Sequence, residues 1–308
     1  YFLPGKTDND NYINDLLFFN GVIWVGNFSG LLQFDPVTQK FRSIKQLTDP
    51  SLVGLPVAGI TKDDHNNVWI SLIGDNGVLK YDSAHGSFQR FTLKDTGSSH
   101  LPFRHFTGWA QNSEGVIYIG YNRSKGIACY RQGQDRFEPC LVGAVGNFDD
   151  QVNCLLTDGP FLWIGSNSGL CRIEPASGKT EFYTRKEGLN GNNINTLVRD
   201  GKGNIWIGTN LGLSRLSPTT KGIARYGVAD GLPAPGINTL FYDSITGLIQ
   251  ATTDFSVFSF DPSDVSDNHL TPIPVLMNVT AMGVSTSNDP EEIIRLEDKR
   301  SEEHTSEL

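Results

Sequence analysis

Few groups in the chain have types and spacings suited to chemistry. Asp63-Asp64-His65-Asn66-Asn67 puts three side chains able to ligate a cation into five positions, a set an oxygen-seeking ion can use. The same residue types also build an ordinary solvated turn, and that turn is the expectation. His100, Arg104 and His105 share one irregular stretch but lie too far from any other His in sequence to suggest a metal pair. Gly-x-Ser-x-Gly is absent, and Ser166-Asn167-Ser168-Gly169 falls between strand-like runs rather than at a strand-to-helix elbow. The four cysteines have no metal spacing. Cys129 and Cys140 flank the turn Arg131–Arg136 and can face each other across a hairpin, either as a disulfide or as buried free thiols. Cys154 and Cys171 fall on strands that are not neighbours. No catalytic residue, metal or cofactor is therefore expected.

The elements that must position these groups repeat. Asn192 to Pro218 reads NNINTLVRDGKGNIWIGTNLGLSRLSP, an alternating run, a Gly/Asp turn, a second run around Trp206, an Asn/Gly turn and a third run. Alternation bounded by such turns is the strand–hairpin signal. Four further copies are centred on Trp24, Trp69, Tyr118 and Trp163, and a sixth places Gln250 at the aromatic position. The spacings are 45, 49, 45, 43 and 44 residues. A fixed period of that size with four short strands per unit predicts a β-propeller, an all-β fold. Blades are expected near 13–50, 57–94, 106–140, 152–184, 194–227 and 237–262. In the fifth, the strands a to d are expected at Ile194–Arg199, Ile205–Thr209, Leu213–Leu216 and Ile223–Tyr226. The blade aromatics Trp24, Trp69, Tyr118, Trp163 and Trp206 are expected to wedge between blades rather than bind ligand. Burial of about 150–250 Å² each at about 25 cal/mol/Å² stabilises by at most roughly 4–6 kcal/mol per Trp.

Composition narrows the partners. Formal net charge is −9 and Lys/Arg do not cluster, which argues against nucleic acid and anionic membrane surfaces. No apolar run approaches the ~18 residues of a membrane span. In a propeller, the face carrying the b–c and d–a loops is the binding face. The candidates there are Asn27, Phe28, Tyr121, Asn122, Arg123, Asn167, Asn210, Thr253 and Asp254, joined by Arg104 and His105 from the long connection Lys94–Gly108. Asn, Tyr and Arg suit the hydroxyls and acidic groups of an oligosaccharide or another small polar ligand. Turn formation is the alternative role of each Asn. Arg123 is distinguished by a b–c loop, Asn122–Lys125, that reads as two residues longer than its equivalents.

After Pro262 the period stops. Ser263–Pro274 reads as a polar linker, and Pro274–Val284 (PVLMNVTAMGV) as one apolar strand of a second domain spanning 263–299. Arg300–Leu308, RSEEHTSEL, back-translates to a common sequencing-adapter oligonucleotide and reads as a non-native scar. Tyr1–Pro4 reads as the last strand of a preceding blade.

The repeat INTLVRDGKGNIWIGTNLGLSRLSP resembles the two-component regulator propeller repeat, over Ile13–Pro262. The tail PIPVLMNVTAMGV is similar to the first strand of the Y_Y_Y domain, an Ig-like β-sandwich that follows such propellers. Together they resemble the periplasmic sensor region of hybrid sensor histidine kinases. That resemblance implies a periplasmic, ligand-sensing fragment that is not itself an enzyme, with a glycan or other polar ligand, homodimerisation of the parent receptor, and a kinase and membrane segment outside this chain. A propeller enzyme of lyase or lactonase type, or a protein-binding scaffold, is the alternative. Blade three departs by Tyr118, and blade six by Gln250 and the lack of a WIG core. Propellers of this family typically have seven blades, so the six visible here imply a seventh upstream, or a six-bladed ring closed by the segment after Pro262.

Overall fold

The computed structural model describes residues 12–43, 54–92, 106–121, 127–141, 151–265, 280–281 and 284–285. Blade one is β1 (Ile13–Phe19), β2 (Val22–Asn27), β3 (Gly30–Asp35) and β4 (Lys40–Ser43). Blade two is β5 (Val57–Lys62), β6 (Val68–Leu72), β7 (Val78–Asp82) and β8 (Ser87–Phe91). Blade three is β9 (Phe106–Gln111), β10 (Ile117–Tyr121), β11 (Ile127–Tyr130) and β12 (Phe137–Pro139). Blade four is β13 (Val152–Asp158), β14 (Phe161–Ser166), β15 (Leu170–Glu174) and β16 (Lys179–Tyr183). Blade five is β17 (Ile194–Arg199), β18 (Ile205–Thr209), β19 (Gly212–Leu216) and β20 (Ile223–Tyr226), and blade six is β21 (Thr239–Tyr242), β22 (Ile249–Thr252) and β23 (Val257–Phe260).

Every blade is an antiparallel meander in sequence order, with strand a contacting the strand a of its neighbour, so the first strands gather at the centre. The propeller is as expected, with one difference. Among the described residues the sixth blade has three strands, not four. Residues 1–265 form one compact unit and 266–308 another. In the second unit, β24 (Thr280–Ala281) pairs antiparallel with β25 (Val284–Ser285). The chain therefore reverses inside the segment read as a single strand, Pro274–Val284.

The blade aromatics are core, not surface. Trp24, Trp69, Trp163 and Trp206 are fully buried and Tyr118 nearly so, each packed against residues of the following blade. Trp24, for example, shares a cluster with Val57, Ile60 and Val68. Two further devices close the seams. In the WIG motif the glycine lies where the next strand a arrives. A Cβ at Gly26 would sit 2.5 Å from Val57 Cγ1, at Gly120 2.4 Å from Val152 Cγ1, at Gly165 2.7 Å from Ile194 Cγ2 and at Gly208 2.8 Å from Ile237 Cγ2. Asparagines at the second position of strand a then stitch blades together. Asn14, Asn153 and Asn195 donate Nδ2 to the backbone carbonyls of Val57, Ile194 and Ile237, at 2.7, 2.9 and 2.9 Å.

The a–b turns divide by length, and so does the fate of the Trp indole N–H. In blade five Asp200 accepts from Lys202 N, Asn204 N, Asn204 Nδ2 and Trp206 Nε1, the last at 2.8 Å. Asp63 does the same in blade two, accepting from His65 N, Asn67 N, Asn67 Nδ2 and Trp69 Nε1. Both carboxylates are buried. The Asp63–Asn67 turn keeps a solvated tip at Asp64, His65 and Asn66, as expected, while its base, Asp63 with Asn67, is buried and caps the blade Trp. In blades one and four the turn is shorter, with Phe18 and Thr157 six residues before the Trp, and Trp24 Nε1 and Trp163 Nε1 have no hydrogen-bond partner.

The described arc has two uncovered faces. Leu16 of strand a is 54% exposed, while its counterparts Ile60, Leu155, Leu197 and Leu240 are at most 9% exposed, each covered by the preceding blade. At the other end Val257 of β23 is 77% exposed, while Leu31, Val78, Ile127, Leu170 and Leu213 at the same register are at most 5% exposed.

Candidate functional site

The b–c turns of blades one, four, five and six are small and alike, and their geometry sorts the candidate residues. The first residue of each turn holds it closed with a side-chain oxygen. Asn27 Oδ1 accepts Ser29 N (2.9 Å), Ser166 Oγ accepts Ser168 N (3.1 Å), Thr209 Oγ1 accepts Leu211 N (3.1 Å) and Thr253 Oγ1 accepts Phe255 N (3.2 Å). All four are buried. Ser166 and Thr209 also donate to the carbonyls of Gly169 and Gly212. Gly212 has φ +143°, and a Cβ there would lie 2.6 Å from the Tyr226 carbonyl oxygen, so the turn requires glycine. Asn27 and Thr253, two of the candidates, therefore present almost no surface to a ligand.

The next two positions point outward. Phe28, Asn167, Asn210, Leu211, Asp254 and Phe255 are all exposed. Asn167, Asn210 and Asp254 meet residues at or just before the start of strand a. Asn153 Nδ2 donates to Asn167 Oδ1 (2.8 Å) and lies 3.3 Å from Asn193 Oδ1, and Asn167 Nδ2 donates to Gln151 Oε1 (3.4 Å). The Asn210 backbone N–H donates to the Asn193 backbone carbonyl (3.3 Å), and Asn238 Nδ2 donates to Asp254 Oδ1 (2.8 Å). Blades four to six thus share a rim of side-chain amides, with one carboxylate and the apolar Leu211 and Phe255 beside it. The signal that finds Asn153 and Asn238 is the recurrence of Asn, with Asn14 and Asn195, directly after an Ile or Val that opens the blade, although in blade six Asn238 falls just before β21.

Such a rim offers paired donors and acceptors in fixed orientations next to exposed apolar carbon. It suits a polar, hydroxyl-bearing solute. No nucleophile–base pair accompanies it among the described residues. The Asp63, Asp64 and His65 ligand atoms lie within 4.8 Å of one another, but both Asp63 oxygens already accept donors of their own turn and indole. Arg104, His105, Asn122 and Arg123 lie outside the described residues, as does the side chain of Tyr121. The b–c loop of blade three is not unique in length: Ile73–Gly77 of blade two, which holds a short 3-10 turn at Gly74–Asn76, separates its strands by as many residues.

Cys129 and Cys140 form a disulfide at the c–d hairpin of blade three, while Cys154 and Cys171 are free. Burial pushes both free thiols up to about 12, which leaves them protonated and inert at neutral pH.

Residues 188–211 match the family described as Two component regulator propeller. A search of curated proteins by sequence finds no match. Among solved structures, the chain is similar to an extracellular domain described as that of a hybrid two component system, BT3049, from B. thetaiotaomicron. That match has 22% identity and TM-score 0.68, covering 82% of this chain and 34% of that one. It is also similar to the extracellular domain of a one component system, BT4673, from the same organism, at 20% identity and TM-score 0.67, covering 84% and 33% of the two chains. A streptogramin B lyase matches at 15% identity and TM-score 0.59, covering 83% and 85%. The chain spans about a third of the length of the first two. At these identities the likeness is one of fold. With the repeat match, it identifies the chain as a β-propeller that carries the two-component regulator propeller repeat.

Proposed function

We propose that the chain is the ligand-sensing propeller of a two-component receptor, held outside the cytoplasm, and that it recognises an oligosaccharide or another small polar solute. The observation that carries this reading is the amide rim of blades four to six, where Asn167, Asn210 and Asp254 stand exposed on turns closed by their buried neighbours. The repeat match and the extracellular domains of similar fold support the signalling context, and the Cys129–Cys140 disulfide supports an oxidising compartment. Binding would shift how the propeller packs against its neighbouring domain and so bias the dimeric receptor and its kinase.

The test is a panel of neutral, acidic and sulfated oligosaccharides and monosaccharides, screened by thermal shift and followed by calorimetry and product chromatography. The reading expects saturable binding of one solute class with the solute recovered unchanged. Recovery of cleaved product would move the chain to the lyase class. Absence of binding across the panel would leave the protein-scaffold reading.

A further inference from the structure

The seam between blades two and three keeps its Trp wedge, Trp69, and an Asp64–Gln111 bridge, but alone among the described seams it lacks the WIG glycine. The WIG glycine is replaced by Ser71. Where Asn14, Asn153 and Asn195 reach the next blade, blade two has Ala58. One position further on, Asp15 Oδ2 accepts Ile60 N at 2.7 Å and Thr196 Oγ1 accepts Leu240 N at 3.1 Å, but blade two has Gly59, with no side chain to cross the seam. Ser71 turns back instead and donates to the Gly59 carbonyl (3.3 Å). The serine Cβ occupies the site where the other seams admit only hydrogen, so β9 cannot approach β6 as its counterparts do. The central strands β5 and β9 accordingly touch least of the neighbouring pairs.

The space left is a cavity of about 230 Å³ lined by Asp15, Gly59, Ser71, Trp69, Trp109 and Ile119, among others. Empty apolar cavities of ~150 Å³ already admit a benzene ring. Two features give this one a chemistry. Trp109 takes the strand-a position held elsewhere by Leu16, Ile60, Leu155, Leu197 and Leu240, and packs against Trp69 with ring centroids 5.3 Å apart, so one wall is indole. The Asp15 carboxylate is held by the backbone N–H groups of Ile60 and Leu16, with no cationic side chain against it among the described residues. Burial outweighs those two donors and holds its carboxyl above the usual range. A desolvated carboxylate beside an aromatic wall favours a cation over any other ligand charge.

We propose that this seam is a binding site for a small primary amine: an ammonium directed at Asp15, on an apolar body of one ring or its size lying along Trp109. The site lies apart from the amide rim and does not depend on the sensor reading. Gly59 provides the means to test it, because a Cβ there would sit 3.2 Å from Ser71 Oγ and 3.5 Å from Asp15 Oδ2, and its backbone is open to alanine.

The experiment titrates the full chain with benzylamine, benzyl alcohol and benzoate, read by indole fluorescence and calorimetry. Saturable binding of benzylamine is expected, at least ten-fold tighter than benzyl alcohol, with benzoate excluded. Gly59→Ala should weaken benzylamine at least ten-fold with the circular dichroism spectrum unchanged, and Asp15→Asn should erase the preference for amine over alcohol. Ser71→Gly restores the seam glycine, so it should raise Tm and also weaken benzylamine at least ten-fold. Equal binding of benzoate and benzylamine, no saturable binding of benzylamine, or benzylamine affinity unchanged in both Gly59→Ala and Ser71→Gly would overturn the proposal.

Discussion

Asp200 and Trp206 show what a single residue contributes here. Burial pushes the Asp200 carboxyl up, but donors from Asn204, Trp206 and Lys202 outweigh it and the net pKa is lowered. Asp200→Ala leaves the Trp206 N–H and the Asn204 amide without their acceptor, a loss expected to cost about 2–3 kcal/mol in urea denaturation. The pH dependence follows from the sign of the shift. A folded-state value below the unfolded ~3.9 gives stability that is complete above that pH and is lost as pH falls through the folded value. Acid unfolding of an Asp200→Asn variant should therefore show a shallower fall below about pH 4 than the parent. Residue roles were only partly legible in sequence. Asn27 and Asn167 look equivalent in the text. They differ because one is the first residue of its turn, spent on closing it, and the other is the second, and that offset appears only once strand register is fixed.

At the scale of the element, the strands were readable almost to the residue, since alternation and Gly/Asp turns leave little freedom: strands a, b and d of blade five fall at the expected bounds and strand c begins one residue earlier, at Gly212. The seams were not readable, because a glycine in WIG reads as turn-prone until the next blade is seen against it. Gly208→Ala puts a Cβ 2.6 Å from Thr196 Cγ2 and 2.8 Å from Ile237 Cγ2, and this overpacking is expected to cost about 1–3 kcal/mol in the same denaturation assay. The c–d hairpin of blade three makes a separate prediction. In denaturant without reductant, two of the four cysteines should react with a thiol reagent, and in the native state neither should react rapidly. Reduction should lower stability by about 2–3 kcal/mol. Four reactive thiols before reduction would remove the disulfide from the account.

At the scale of the molecule, the described residues of blades one and six each leave exposed an apolar position that is buried or half-buried at the inner seams. Leu16 with Phe18, and Val257 with Phe241, are exposed apolar surface of the kind that drives association. The chain is expected to self-associate in light scattering at micromolar concentration, and Leu16→Glu with Val257→Glu to reduce that association without lowering Tm, because neither residue is buried. The sensor reading itself is tested most directly by calorimetry with the strongest solute from the saccharide panel. The measurement compares the parent chain, an Asn167→Ala/Asn210→Ala/Asp254→Ala variant of the amide rim, and Gly59→Ala of the seam. The account predicts that the rim variant loses binding by ten-fold or more while Gly59→Ala binds as the parent does; full affinity retained by the rim variant would contradict it.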